Sequence, residues 1–131
     1  MKSVSILILI FIVVISCNQN QQKKETANSQ PLELTEIIRE DYEIYIPKNG
    51  VKAVLILFGG YPEVAEDIKR EFKILDIARK NNICVIFSNF NQKLWLEEID
   101  KHKLAKSLQN VIVDNQLPTD NIFIGGFSSG G

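Results

Sequence analysis

The stretch Asn121-Ile-Phe-Ile-Gly-Gly-Phe-Ser-Ser-Gly-Gly131 decides how the rest of the chain is read. Its short apolar run, residues 122–124, predicts a strand that ends in glycines. Within these glycines, residues 126–130 match the pattern G-x-S-x-G. Directly after a strand, this pattern is typical of a sharp strand-to-helix turn that strains the serine backbone and holds its Oγ clear of the sheet. Gly126 and Gly130 would let strand and helix approach closely, and Ser128 is the candidate reactive residue.

The length and the charge of the chain bound its class. With 131 residues it is long enough for one domain at most. Its formal net charge at pH 7 is −1, so no basic field is expected that would hold nucleic acid or an anionic membrane. One histidine and scattered carboxylates show no metal-ligand spacing, so neither a metal nor a cofactor is predicted.

The first residues predict an export signal. Met1-Lys2 precedes an almost purely aliphatic run, residues 4–15, shorter than the roughly 20 apolar residues that a membrane-spanning helix needs. The run ends in Val14-Ile15-Ser16-Cys17, which resembles the bacterial lipobox. This resemblance implies a lipoprotein signal peptide over residues 1–16 and acylation of Cys17. The protein would then be tethered by lipid to a membrane of the bacterial cell envelope, in the periplasm or on the surface. An ordinary signal peptide, or a membrane anchor with an incidental cysteine, is the alternative.

Residues 17–31 predict a flexible polar tether, because residues 18–31 contain no aliphatic side chain except one alanine. A folded domain is expected over residues 32–131. It opens with a weak edge strand at 32–39 and a more regularly alternating strand at 42–46, which together predict an antiparallel hairpin.

Apolar runs and helical repeats alternate through the rest of the domain. Residues 53–58 and 83–87 are apolar at every position, as in strands whose two faces are both covered. Helices are expected over residues 63–82 and from 94 to about 115, where apolar residues recur at helical spacing. This alternation predicts right-handed βαβ units and an α/β fold, a three-layer αβα sandwich with a mostly parallel sheet.

Two glycine-rich corners follow apolar strands, at the edge of an open α/β sheet where ligands bind. One is Gly59-Gly60-Tyr61-Pro62-Glu63, and the other is the Ser128 turn. With these corners and the stretch from Leu117 to Gly131, the chain from about residue 33 resembles the α/β-hydrolase superfamily, in particular its secreted esterase- and lipase-like members. The resemblance implies the N-terminal part of an α/β-hydrolase fold, truncated after the nucleophile elbow. It also implies a serine hydrolase that cleaves ester-type acyl bonds of a small-molecule or polymeric substrate.

The resemblance also implies roles for individual residues. Ser128 would be the nucleophile, Gly126 and Gly130 the elbow glycines, and the Ser129 amide a donor to the oxyanion. Tyr61 matches the aromatic residue whose amide completes the oxyanion hole. Many members carry a histidine where this chain has Gly59, so a loop-stabilising side chain is missing here.

The catalytic acid and the histidine follow the nucleophile in the chain order of that family. Both would lie beyond Gly131. A serine without its base is a weak nucleophile at neutral pH, so these 131 residues are expected to be inactive alone and the full-length form to be the enzyme.

Other interpretations compete with this one. A phosphate-binding loop is disfavoured, because the lysine of G-x-x-x-x-G-K-[ST] is absent and Phe127 occupies the second glycine position of G-x-G-x-x-G. The main alternative is a non-catalytic, membrane-tethered α/β lipoprotein that binds glycan or protein. Trp95 is predicted to pack at the core edge or to line a cleft, and His102 to lie on a solvated helix face. Cys84 is predicted to be a buried small hydrophobe.

Overall fold

The computed structural model describes residues 33–89 and 93–131, and these form one sheet with helices on both faces. The predicted signal peptide, the tether and Cys17 lie outside the described residues. In chain order the elements are β1 (Leu34–Ile38), β2 (Tyr42–Pro47), β3 (Ala53–Phe58), α1 (Ala65–Phe72), α2 (Leu75–Lys80), β4 (Ile83–Ser88), α3 (Glu98–Asp114), β5 (Ile122–Gly126) and a single 3-10 turn (Ser128–Gly130).

The sheet is mixed, with strand order β1-β2-β4-β3-β5. β2 runs antiparallel to both β1 and β4, whereas β3 runs parallel to both β4 and β5. The predicted fold class, the N-terminal part of an α/β-hydrolase fold on a mostly parallel sheet, is therefore wrong. The physical reason is the hairpin. β1 and β2 are joined by a short turn, which makes them antiparallel, and β2 also pairs with β4 in the antiparallel direction.

The core lies on both faces of the central strands. One face packs against α3, and its buried residues are Ile44, Val54, Ile56, Cys84, Ile86, Val111, Ile112 and Leu117. The other face packs against α1 and α2, and its buried residues are Tyr45, Leu57, Ala65, Ile68, Ala78, Val85 and Phe87. Because successive side chains of β3 and β4 point to opposite faces, two covered faces require the uninterrupted apolar runs seen in the sequence.

The helix predicted over residues 63–82 is two helices. α1 ends where Lys73 adopts a left-handed conformation (φ 47°) and donates its N–H to the Lys69 carbonyl, and α2 begins at Leu75. The second predicted helix begins at Glu98 rather than near residue 94. Helical periodicity continues through both boundaries, so the breaks left little trace in the apolar pattern.

β5 lies at one edge of the sheet, paired with β3 alone among the described strands. Its register places Gly125 and Gly126 opposite Leu57 and Phe58. The carboxyl ends of β3 and β5 therefore finish at the same level, which brings the two glycine-rich corners together.

Candidate functional site

The Ser128 corner has a strained backbone. β5 ends at Gly126, Phe127 is extended, and Ser128 then turns to a positive φ of 54° at the start of the 3-10 turn. A left-handed conformation costs an L-residue with a Cβ about 1–2 kcal/mol. Two hydrogen bonds hold the turn in place, from the Gly130 N–H to the Phe127 carbonyl (2.9 Å) and from the Gly131 N–H to the Ser128 carbonyl (3.1 Å). The Ser128 side chain is left exposed to solvent.

Both glycines that flank Ser128 are required by close backbone contacts. A Cβ on Gly126 would lie 1.9 Å from the Gly130 carbonyl oxygen. A Cβ on Gly130 would lie 2.4 Å from the Gly59 carbonyl oxygen and 2.8 Å from that of Phe58. The glycine spacing in the sequence is therefore explained by two approaches, one within the turn and one between the turn and the end of β3.

The second corner, residues 59–63, folds back on itself beside the first. The Gly60 N–H donates to Glu63 Oε2 (2.7 Å), and the Glu63 N–H donates to the Gly60 carbonyl (2.7 Å). A Cβ on Gly60 would lie 3.1 Å from the Ser128 Cβ, so the loop passes directly beside the candidate nucleophile. No role was predicted for Glu63, although a Glu side chain can reach back to the backbone N–H three residues before it, as in a capping box.

Two hydrogen bonds join the corners. The Phe127 N–H donates to the Phe58 carbonyl (3.2 Å), and the Tyr61 N–H donates to Ser129 Oγ (2.9 Å). These contacts place Tyr61 and Ser129 side by side, next to Ser128. The Tyr61 amide, predicted as an oxyanion donor, is occupied by the Ser129 hydroxyl in this conformation. The motif predicts a role only for the backbone amide of Ser129, and this contact of its side chain was not predicted.

A small cleft opens on the α3 side of the Ser128 corner. Its volume is about 190 Å³, and it is lined by Phe58, Leu96, Leu104, Ser129 and Gly130. Pockets for drug-sized ligands occupy roughly 300–1,000 Å³, so this cleft suits only a small apolar group. Trp95 is 81% exposed and does not line it; Leu96, its neighbour, does. Leu104 recurs at helical spacing in the sequence, which identifies a packing residue but does not reveal that it faces a cleft.

Among the described residues, no hydrogen bond joins the Ser128 hydroxyl to a histidine or a carboxylate. His102 lies on the exposed face of α3, as predicted. Within the same residues, no group of histidines, cysteines and carboxylates is arranged to hold a metal ion. The corner therefore offers a presented hydroxyl and backbone donors, and a general base would have to come from elsewhere.

A polar cluster lies apart from the two corners, on β1, β2 and α1. Lys69 Nζ lies 2.6 Å from Glu43 Oε2 and 3.0 Å from the Tyr45 hydroxyl, which in turn lies 2.7 Å from Glu36 Oε1. Burial, together with the hydrogen bonds to Glu36 and Glu43, raises the pKa of Tyr45 well above its ordinary value. Burial alone would lower the pKa of Lys69, but its contacts with Glu43 and Tyr45 outweigh that effect and raise it.

Cys84 is fully buried in the core face beneath α3 and makes no disulfide. Burial raises the pKa of its thiol to about 12, so it stays protonated and unreactive at neutral pH. The prediction of a buried small hydrophobe is confirmed.

No protein-family model matches this chain, and no curated protein matches it. No helix among residues 33–89 and 93–131 is long and apolar enough to cross a bilayer.

Proposed function

We propose that this chain carries the nucleophile of a serine hydrolase that cleaves ester-type acyl bonds. One observation carries the proposal: Ser128 has a positive φ between two glycines that cannot accept a Cβ, and its side chain is exposed beside the Gly60 loop. Strained backbone of this kind persists where neighbouring contacts hold it in place, and it clusters at functional sites. An ordinary Gly/Ser turn would not need two such tight backbone approaches.

The reaction follows from the groups at the corner. Ser128 Oγ attacks the acyl carbon, its proton passes to a general base, and the carbonyl oxygen becomes an oxyanion. The Ser129 N–H, at the start of the turn, and the Tyr61 N–H, across from it, are the candidate donors to that oxyanion. Removing one such donor typically costs 10²- to 10³-fold in rate. No described residue is hydrogen-bonded to Ser128 as a base, so the proposal requires a base from a part of the protein that the structure does not describe.

A fluorophosphonate probe, which forms a covalent adduct with activated serines, tests this proposal. The full-length protein should be labelled on Ser128, and Ser128→Ala should abolish labelling. Ser107→Ala is the matched control, because Ser107 hydrogen-bonds Asp41 away from the two corners, and it should label like the unmodified chain. Absence of labelling, or an adduct that survives Ser128→Ala, contradicts the proposal.

The competing proposal is that the protein binds glycan or another protein without catalysing a reaction. The observation that favours it is the absence, among the described residues, of a base hydrogen-bonded to Ser128. The same labelling experiment distinguishes the two functions, because Ser128 of a protein that only binds its partner is not activated and should not be labelled.

We also propose that lipid on Cys17 anchors the protein to a bacterial membrane, as the stretch Val14-Ile15-Ser16-Cys17 indicates. Cys17→Ala should prevent incorporation of radiolabelled palmitate and shift the protein from the membrane fraction to the soluble fraction. Cys84→Ala, at the buried cysteine, should leave palmitate incorporation unchanged. Labelling that persists in Cys17→Ala contradicts the anchor.

A further inference from the structure

The hydrogen bond between the Tyr61 N–H and Ser129 Oγ presents a conflict within the candidate site. An amide N–H has a single hydrogen, and here it points at the Ser129 hydroxyl at 2.9 Å. A substrate oxygen can be bound by the same amide only if the hydroxyl gives way. The Ser129 side chain can do so by rotation about χ1, since a hydroxymethyl group has three staggered positions.

The loop that carries Tyr61 does not depend on Ser129 alone. Glu63 receives the Gly60 N–H at 2.7 Å, and the Glu63 N–H closes the same turn onto the Gly60 carbonyl at 2.7 Å. The Phe127 N–H also donates to the Phe58 carbonyl, which holds the Ser128 corner against the end of β3. With these contacts in place, the Tyr61 amide keeps its position when the Ser129 hydroxyl leaves it.

We propose that the Ser129 hydroxyl is a displaceable latch on the oxyanion hole: it occupies the Tyr61 amide at rest, and the acyl oxygen of the substrate displaces it. This inference rests on the proposed hydrolase function. A neutral carbonyl oxygen competes weakly with a hydroxyl for one amide, whereas an oxyanion forms a charge-assisted bond of roughly twice the strength. The exchange therefore favours the transition state over the bound ester, which is the condition for catalysis.

The latch predicts that removing the hydroxyl exposes the Tyr61 amide. In Ser129→Ala, the Tyr61 amide should exchange with deuterium faster than in the unmodified chain, and phosphonate labelling of Ser128 should accelerate about two- to tenfold, the range expected for one lost hydrogen bond. Ser129→Thr keeps a hydroxyl at the same position. It should restore both the slow exchange of the Tyr61 amide and the slow labelling.

A hydroxyl that only fastens the loop would give the opposite result, because Ser129→Ala would then leave labelling equal or slower. Equal or slower labelling overturns the latch while labelling of the unmodified chain upholds the hydrolase function. Faster labelling without faster exchange of the Tyr61 amide also overturns the latch. If Ser128 is labelled in none of the variants, the hydrolase function fails and the latch fails with it.

Discussion

The polar cluster of β2 and α1 differs from the Ser128 corner in burial, in hydrogen-bond partners and in backbone strain. In the cluster, Lys69, Glu43 and Tyr45 are largely buried and find their partners within 3.0 Å of one another. At the corner, Ser128 is exposed and its backbone is strained. The contrast shows that satisfied polar contacts under α1 serve stability, while the corner keeps an unfavourable conformation that presents one hydroxyl.

Breaking the cluster should have the largest effect on stability. Lys69→Met leaves the Glu43 carboxylate, 8% exposed, without its cation, and removing one partner of a buried pair costs about 3–5 kcal/mol. Urea unfolding measures this loss. Lys101→Met, at an exposed pair with Glu98, is the control and should change the unfolding free energy very little.

A double variant sharpens the first prediction. Replacing Glu43 by Gln in the Lys69→Met background removes the orphaned charge and should recover part of the lost stability. If Lys69→Met lowers the unfolding free energy no more than Lys101→Met does, the polar cluster does not stabilise the interior.

Filling the space at the corner should have the next largest effect. In Gly130→Ala the new Cβ would meet the Gly59 carbonyl oxygen at 2.4 Å, and forced overpacking of this kind costs about 1–3 kcal/mol. Gly131→Ala is the matched control, since its Cβ meets nothing nearer than 3.5 Å. Thermal unfolding compares the two variants, and equal melting temperatures would show that the turn can shift away from the end of β3.

Alkaline pH should destabilise the fold through titrating groups in the interior. Burial raises the pKa of Cys84 from 9.0 to about 12, so the folded chain holds this proton after the unfolded chain has lost it. The stabilising contribution is complete below pH 9 and is lost as the pH rises towards 12, at about 1.4 kcal/mol per pH unit. The pKa values of Tyr45 and Lys69 are raised as well, so their contributions fall in the same direction above about pH 10.

Denaturant unfolding at pH 8 and pH 10 measures this loss. In Cys84→Ala the difference between the two pH values should be smaller than in the unmodified chain, whatever the stability of the variant at pH 8. An unchanged difference would mean that the thiol ionises alike in the folded and unfolded states.

The smallest expected effect is a gain in stability at the corner itself. Ser128→Gly removes the Cβ from a residue with φ 54°, whereas Ser128→Ala removes only the hydroxyl and keeps the strain. The glycine variant should therefore unfold with a free energy about 1 kcal/mol higher than that of the alanine variant. Equal stabilities in a chemical denaturation series would show that the corner holds no backbone strain.

The parts of the fold that follow from local chemistry could be predicted from the sequence. The apolar runs that became β3 and β4 identify strands with two covered faces, and the glycine spacing around Ser128 identifies the tight turn. The direction of the sheet was predicted wrongly, because a regular βαβ alternation after residue 50 outweighed the hairpin before it. Strand direction depends on which neighbours pair, and a single sequence does not carry that information directly.

The cluster and the latch were missed for a related reason. Glu43 and Tyr45 alternate with apolar residues in β2, which is typical of a strand with one solvated face, and their burial depends on Lys69 from a different element. Likewise, the bond between Tyr61 and Ser129 joins residues far apart in the chain. Contacts of this kind arise from tertiary packing, and no local sequence pattern predicts them.

That same bond has a consequence for the order of folding. Its partners are 68 residues apart, and they meet only after β5 has paired with β3 across the whole of α1, α2, β4 and α3. Closing so long a loop is slow, and it comes after β1 to β4 have been made, because β5 follows them in the chain. A nascent chain would therefore assemble its hairpin and helices first and form the Ser128 corner only after β5 had paired with β3.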